Sequence, residues 1–164
     1  MFPNRAAILM PRMIDTGLAA FLQEGLGIHL GTRDGDLRPE GARGLAVSVE
    51  DSGRQLVVFV AEIAAERLMP NLESNGQAAV TFARPVDERA CQVKGTFLGV
   101  RRADAGERAL IEAQWEGFMR QLELIGIPRV GTAAWTTWPA AAIRLRVTAV
   151  FDATPGPKAG AAIA

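Results

Sequence analysis

The stretch DERACQVKGTFLGVRRADAGER, residues 87–108, decides the fold that the sequence predicts. From Cys91 onward the odd positions carry Cys, Val, Gly and Phe, whereas the even positions carry Gln, Lys, Thr and Leu. Because side chains of a β-strand alternate between two faces, this pattern predicts a strand over 91–103. One face is apolar, and the other begins with an amide, an amine and a hydroxyl. Asp104, with Glu107 three residues later, forms a capping-box pattern, which predicts that a long helix follows at once.

Further strands are predicted on both sides of this one. They cover residues 26–32, 46–50, 55–61, 78–84 and 142–152. The Ser52 and Gly53 turn between two β-branched runs is typical of a hairpin. Residues 33–44 are interpreted as a turn-rich connection with its reversal at Asp34 and Gly35. Six strands joined by short turns favour an antiparallel sheet, and this amount of sheet favours closure into a barrel.

Three helices are predicted between the strands. The first covers 16–24, and a short one lies within 64–75. The short helix is expected to begin at 66–69, because Pro70 is best tolerated in a first helical turn. The long helix is expected to end at Gly126. Its expected buried side is made of Ala109, Leu110, Ala113, Phe118, Leu122 and Ile125.

Length and charge indicate a single domain that binds neither nucleic acid nor a membrane. The 164 residues, 49% of them hydrophobic, suit one domain over 1–164, with an N-terminal arm at 1–15 and a mobile tail at 155–164. Eighteen basic and eighteen acidic residues leave no net charge, which argues against nucleic acid or a membrane as partner. No apolar run approaches the roughly 20 residues of a spanning helix, and the run at 6–10 is short for a signal segment. We therefore expect a cytoplasmic protein.

A single histidine, His29, and a single cysteine, Cys91, restrict the chemistry that the chain can perform. One cysteine permits no internal disulfide and no cysteine-rich zinc site, and neither H-E-x-x-H nor G-x-S-x-G occurs. Cys91 is expected to be a small buried hydrophobe, and His29 to be half-buried. No acid–base pair is evident, so the sequence assigns no catalytic residue and no metal ligand.

The order of these elements resembles the FMN-binding split-barrel superfamily, which includes pyridoxamine 5'-phosphate oxidase and its relatives. The phrases that carry the likeness are GIHLGTRD, GLAVSVEDSGRQLVVFV, LMPNLESNGQAAVTF, VKGTFLGVR and IRLRVTAVFDATPG, over roughly residues 18–157. Asn71 and Asn75, in N-L-x-x-N, look like the family's short helix before its central strand. The resemblance implies a mainly β fold with inserted helices, a six-stranded antiparallel split barrel. It also implies a homodimer that holds FMN in a groove between subunits and acts as an oxidoreductase on a small molecule.

The resemblance implies which side chains would hold FMN. In that family basic and hydroxyl side chains from neighbouring strands and from the short helix bind the phosphate, and an amine or a guanidinium suits such an anion. The cofactor-binding residues expected here are Arg38, Arg43, Arg67, Gln92, Lys94, Trp135 and Trp138. The polar end of strand 91–103 would then face the cofactor or the partner subunit. The two tryptophans are expected on the flavin, over a substrate pocket or at the interface.

Two departures from the family pattern leave alternatives open. Many members carry a lysine three residues before the Asn-Leu pair, where this chain has Leu68 with Arg67 beside it. A neighbouring helical position points about 100° away, so Arg67 does not replace that lysine automatically. The C-terminal arginine and histidine signature of pyridoxamine phosphate oxidases is also absent, so that activity is not expected. One alternative is a non-catalytic binding module for haem, F420 or another ligand, with His29 as an axial ligand; another is a groove that serves only as an interface.

Overall fold

The computed structural model describes residues 13–163. Its helices are α1 (Thr16–Leu22), α2 (Glu62–Asn75) and α3 (Ala105–Leu124), and its strands are β1 (Gly27–Arg33), β2 (Pro39–Glu50), β3 (Gln55–Ala61), β4 (Gln77–Ala83), β5 (Ala90–Arg102) and β6 (Ala140–Asp152). All neighbouring strands are antiparallel, and the order β1-β2-β3-β6-β5-β4 closes because β4 pairs with β1. The predicted six-stranded antiparallel barrel is confirmed.

The barrel interior holds the main core, built from alternate residues of each strand. In β5, Cys91 and Val93 are buried and Lys94 is exposed, as the alternation predicts. Burial raises the pKa of the Cys91 thiol to about 12, which fits its expected role as a small buried hydrophobe. Helix α2 contacts all six strands and buries Leu68 and Leu72 in this core, so it lies across one end of the barrel.

Helix α3 covers part of the barrel's outer surface. Val57, Phe59 and Ala142 point outward from β3 and β6, and each is at most 3% exposed because Ile111 and Trp115 of α3 pack against their cluster. Strand β3 is therefore apolar on both faces, which explains its uninterrupted hydrophobic run. The capping box at the start of α3 is present as predicted.

Side chains complete the backbone edge that β2 leaves open. Strand β2 pairs with β1 only as far as Gly44. Beyond it, the Gln114 amide accepts from the Val47 N–H (3.0 Å) and donates to the Val47 carbonyl (2.7 Å), while Gln23 accepts from the Val49 N–H (3.2 Å). These glutamines replace a missing strand, so the edge is neither unsatisfied nor open to another chain.

Two predicted boundaries are wrong. Strand β2 begins at Pro39, so most of 33–44 is strand, and the reversal is confined to the turn in which Asp34 accepts from the N–H of Arg38 (2.8 Å). Helix α2 begins at Glu62 rather than at 66–69. Pro70 is exposed inside it, so the hydrogen bond that it removes lies toward solvent, where water can satisfy the carbonyl.

The buried side of α3 also differs from the prediction. Phe118 and Leu122 are buried as expected, whereas the predicted Ala109, Ala113 and Ile125 are exposed. Burial instead follows a stripe of Ile111, Gln114, Phe118, Met119 and Leu122. The polar Gln114 belongs to it because it serves the β2 backbone, which a purely apolar pattern overlooks.

Of the expected arm at 1–15, residues 1–12 lie outside the described residues, while Ile14 is 1% exposed and part of the core. At the other end, the tail folds back along β6, where the N–H of Ile163 donates to the carbonyl of Val150 (2.7 Å). The mobility of 155–164 stays a prediction. Within residues 13–163, no helix is long and apolar enough to cross a membrane.

Candidate functional site

A shallow groove of about 480 Å³ lies on the outer surface of β1, β2, β4 and β5. Four polar side chains cross it in one row, because Arg43 pairs with His29, His29 with Thr81, and Thr81 with Gln92 in the strand registers. We call these four residues the polar row. Since they face outward from adjacent strands, they form a single surface, although they are distant in sequence.

The next row consists of small residues and a lysine. Gly41 pairs with Gly31, Gly31 with Ala79, and Ala79 with Lys94. We call Gly41, Gly31 and Ala79 the small row. It forms a low floor beside the polar row, where backbone lies close to the surface.

The fold itself does not require the two glycines of this floor. Neither has a positive φ, and a Cβ added at Gly31 or Gly41 would meet its nearest atom at 3.8 Å or 3.6 Å, an ordinary contact. By contrast, a Cβ at Gly44 would clash with Ile28 Cγ2. A glycine within a strand costs about 0.5–1 kcal/mol relative to alanine. The open space above Gly31 and Gly41 therefore fits something that approaches from outside the chain.

Arg43 brings an unneutralised charge to this groove. Its guanidinium is half-buried and forms no ion pair within residues 13–163. Its Cζ lies 4.0 Å from the centre of the Trp135 ring and 5.8 Å from that of Phe118. Partial burial excludes some of the water around the guanidinium and so lowers the pKa of Arg43. A partly desolvated guanidinium with free N–H groups is well suited to bind an oxyanion.

His29 lies at the centre of the polar row. The alternation of β1 places its side chain on the outer face, where it is partly exposed and partly desolvated, in keeping with the expected half-buried histidine. Partial desolvation and then the charge of Arg43 lower the pKa of His29 below its usual 6.5. The imidazole is therefore neutral at neutral pH and can both donate and accept a hydrogen bond.

Arg67 reaches the groove from α2, whereas its neighbour Leu68 does not. Leu68 is fully buried in the barrel core, whereas Arg67 lies over β2, with Nη2 at 3.4 Å from the carbonyl of Gly41 and Nε at 3.7 Å from the Glu40 carboxylate. Arg67 thus lines the groove, but Glu40 neutralises part of its charge. Arg43 is the stronger candidate for an anion.

Lys94 and Gln92 continue the site onto β5. Lys94 lines a second hollow of about 310 Å³, which shares Gly31 and Ala79 with the groove. The Gln92 amide donates to the Thr81 hydroxyl at 3.1 Å. The small row is therefore flanked by Arg43 on one side and by Lys94 on the other.

The structure places five of the seven expected cofactor residues at or beside this groove: Arg43, Arg67, Gln92, Lys94 and Trp135. The other two lie elsewhere. Arg38 is in the β1–β2 turn, 3.4 Å from Asp36, with its side chain 77% exposed. Trp138 packs into the apolar cluster under α3, 5.3 Å from the Cζ of Arg108.

Sequence reasoning missed Thr81 and the small row. The available signal was the small or polar residue at every second position of β1 and β2, namely His29 and Gly31, then Gly41 and Arg43. Interpreting 33–44 as a connection hid that signal, because glycine and proline are also the usual residues of turns.

Asn71 and Asn75, which carried part of the resemblance, fasten α2 to β1. Asn71 donates to the Thr32 hydroxyl at 3.1 Å, and Asn75 donates to the carbonyl of Arg33 at 2.8 Å. This fastening fixes the helix that carries Arg67 against the strand that carries Gly31.

No protein-family model and no curated protein sequence matches the chain. Solved structures do resemble it. The HupZ protein of Group A Streptococcus is 16% identical, with 90% of this chain and 100% of that chain covered and a TM-score of 0.53. A provisionally assigned pyridoxamine 5'-phosphate oxidase from Lactobacillus delbrueckii is 17% identical (87% and 97% covered, TM-score 0.53). An F420 reductase is 19% identical (80% and 93% covered, TM-score 0.52).

These likenesses and the closed six-stranded barrel define one class of fold. The chain has the split-barrel fold of the pyridoxamine 5'-phosphate oxidase-like proteins.

Proposed function

We propose that this chain binds FMN in the groove and acts as an FMN-dependent oxidoreductase on a small molecule. The observation that carries the proposal is the half-buried, unpaired Arg43 beside the open glycine floor of Gly31 and Gly41. The chemistry of the groove fits FMN. A phosphate dianion matches the guanidinium of Arg43, and a flat ring system can approach backbone where no Cβ intervenes.

The chain's own residues would position the cofactor. Bound FMN would supply the hydride or electron transfer, since such chemistry belongs to the cofactor. Arg43 would neutralise the phosphate, with Arg67 as a weaker contributor because of Glu40. Lys94, on the far side of the small row, would contact another polar part of the cofactor. Neutral His29 would offer the polar edge of the ring one donor and one acceptor. No residue of the groove is assigned a catalytic role.

The proposal includes a second copy of the chain as the other wall of the groove. The floor is shallow and its glycines leave space that the single chain does not fill. A homodimer would cover the polar row and so strengthen its electrostatic contacts with an anion. Sedimentation velocity is expected to show a dimer, and a Gly31→Trp variant is expected to shift it to monomer. A wild-type monomer that still binds FMN would contradict this part.

The first test is FMN retention. Purified protein is mixed with FMN and desalted, and its absorbance in the flavin region is recorded. We expect retention by the wild type and loss in Arg43→Ala and in the Arg67→Ala, Lys94→Ala double variant. Arg38→Ala removes an arginine away from the groove and is the matched control, which should retain FMN. Full retention by the double variant and by Arg43→Ala would overturn the assignment.

A second candidate is a non-catalytic module for haem, F420 or another ligand, and the position of His29 favours the haem form. A neutral, exposed imidazole in the middle of an open groove can ligate iron. In this case the protein gains a Soret band with haem and loses it in His29→Ala, while FMN washes out. The absorbance spectrum therefore separates the two candidates in one experiment.

We also propose a cytoplasmic location. The support is that Cys91 is the single cysteine of the sequence, so the chain carries no internal disulfide of the kind that is common in exported proteins. Fractionation of the producing cell with an antibody against the chain tests this directly, and enrichment in an extracellular or envelope fraction would contradict it.

A further inference from the structure

The guanidinium of Arg43 is held by aromatic rings rather than by a carboxylate. Its Cζ lies 4.0 Å from the centre of the Trp135 ring and 5.8 Å from that of Phe118. Trp115 completes this aromatic trio, with its ring centre 5.8 Å from that of Trp135 and 5.8 Å from that of Phe118. A guanidinium that lies over an aromatic ring and forms no ion pair keeps N–H donors available to another group.

Trp135 reaches Arg43 from the segment between α3 and β6, and this segment is anchored to α3. The backbone N–H of Trp135 donates to the carbonyl of Thr132 at 3.0 Å. Thr132 is 8% exposed, and its hydroxyl contacts the Met119 sulfur at 3.2 Å. Arg129, three residues earlier, pairs with Glu116 of α3 at 2.6 Å. These contacts anchor the segment that carries the indole to α3.

The indole that contacts Arg43 also meets Trp115 edge-on. At least one face of Trp135 is therefore engaged within its own chain. This arrangement argues for a role toward Arg43 rather than one as a free platform for a flavin ring.

We propose that Trp135 is a positioning residue, which holds Arg43 so that its N–H edge faces the groove and binds an oxyanion such as a phosphate group. This inference rests on the proposed function for the identity of the natural ligand, but the anion site can be tested without it. Trp135 then sets the affinity of Arg43 for phosphate and contributes nothing to the recognition of a flavin ring.

The experiment compares Trp135→Leu, which removes the stacking face, with Trp135→Phe, which keeps one. Trp138→Leu is the matched control, because it removes a tryptophan near another arginine, Arg108, away from the groove. Two quantities are measured for each: the ratio of FMN to riboflavin affinity, and the response of the Arg43 Nε–H signal to inorganic phosphate by NMR. Thermal melting verifies that each variant is folded.

We expect Trp135→Leu to lower the FMN-to-riboflavin ratio by roughly tenfold and to weaken the phosphate response of Arg43 by a similar factor. Trp135→Phe should remain within about threefold of the wild type, and Trp138→Leu should not change the ratio. Equal loss of FMN and riboflavin affinity in Trp135→Leu would overturn the inference, because it would indicate a ring contact or general damage. A Phe variant as weak as the Leu variant would also overturn it.

Failure of the proposed cofactor and failure of the proposed anion site give different results. If neither FMN nor riboflavin binds but phosphate still moves the Arg43 signal in the wild type and less in Trp135→Leu, the proposed cofactor is wrong and the positioning role stands. If phosphate leaves the wild-type Arg43 signal unchanged, the anion site itself is overturned, whatever the cofactor.

Discussion

The two halves of the barrel's outer surface differ in how the chain treats them. The covered face, made of outward residues of β3 and β6, is apolar and lies under α3, with Val57 and Phe59 at 3% and 1% exposure. The open face, made of the polar row and the small row, carries polar groups and two glycines above which the chain leaves open space. The same barrel is thus covered by its own helix on one side and leaves space for a ligand or a partner on the other.

The difference teaches which residues to associate with stability and which with binding. On the covered face, side-chain size is set by packing against α3, and a smaller side chain leaves a cavity. On the open face, small size at Gly31 and Gly41 is not demanded by any neighbour. Substitutions on the two faces should therefore separate, with losses of stability on one and losses of binding on the other.

The largest expected effect is on the covered face. Phe59→Ala should lower the free energy of unfolding by about 3–5 kcal/mol, because it removes a fully buried ring beneath α3. Urea denaturation measures this loss. Gln92→Ala on the open face is the control and should cost only about 1 kcal/mol, for the lost hydrogen bond to Thr81. A similar loss for both would mean that the two faces are not distinct.

The next effect concerns the contact that holds α3 to the barrel. Gln114→Leu preserves most of the volume but leaves the N–H and carbonyl of Val47 without partners, so we expect a loss of about 1–3 kcal/mol. Glu112→Leu, at an exposed position of the same helix, should change stability little. If Gln114→Leu is as stable as the wild type, the two hydrogen bonds do not help to dock α3.

A pair of identical substitutions sharpens the comparison at the level of single glycines. Gly44→Ala places a methyl group against Ile28 and should cost about 1–3 kcal/mol. Gly31→Ala should be neutral or stabilise by up to about 0.5–1 kcal/mol, since it reduces the entropy of the unfolded chain without a clash. Thermal and urea unfolding measure both. A marked loss of stability in Gly31→Ala would show that the fold does require this glycine.

The smallest effect is a pH dependence from the open face. Because the pKa of His29 is lowered on folding, the unfolded chain binds more protons below pH 6.5, and stability falls as pH drops through that range. His29→Gln should remove this contribution, so its stability should fall less than that of the wild type between about pH 7.5 and about pH 5. Parallel stability curves for the two proteins would contradict the lowered pKa.

The sequence predicted the elements that carry a local signal better than those that depend on pairing with a distant strand. Alternation in β5 and the capping box of Asp104 and Glu107 are local signals, and both are confirmed. The start of β2 was missed because Pro39 and Gly41 are typical of turns, and only pairing with β1 makes this segment a strand. Helix α2 was placed too late because Pro70 was assumed to mark a first turn, whereas its exposure lets it lie inside the helix.

The residue types of the candidate site could be predicted, but not which of these residues the strands bring together. The resemblance identified Arg43 and Lys94 as candidates for an anion, and the structure places both beside the small row. The resemblance equally favoured Arg38 and Trp138. Nothing local distinguishes an arginine in a turn, such as Arg38, from one on a strand that faces a groove. Thr81 became visible only through strand register, which links residues far apart in the chain.

The edge of β2 that Gln114 and Gln23 complete makes local opening of the molecule measurable by amide hydrogen exchange. The amide hydrogen of Val47 is bonded to a side chain of α3 rather than to a strand, so it can exchange with solvent whenever that helix lifts, even while the barrel stays intact. The amide of Val49 depends in the same way on Gln23, next to α1. Deuterium uptake at two amides of one strand would thus time the opening of two different helices, independently of global unfolding.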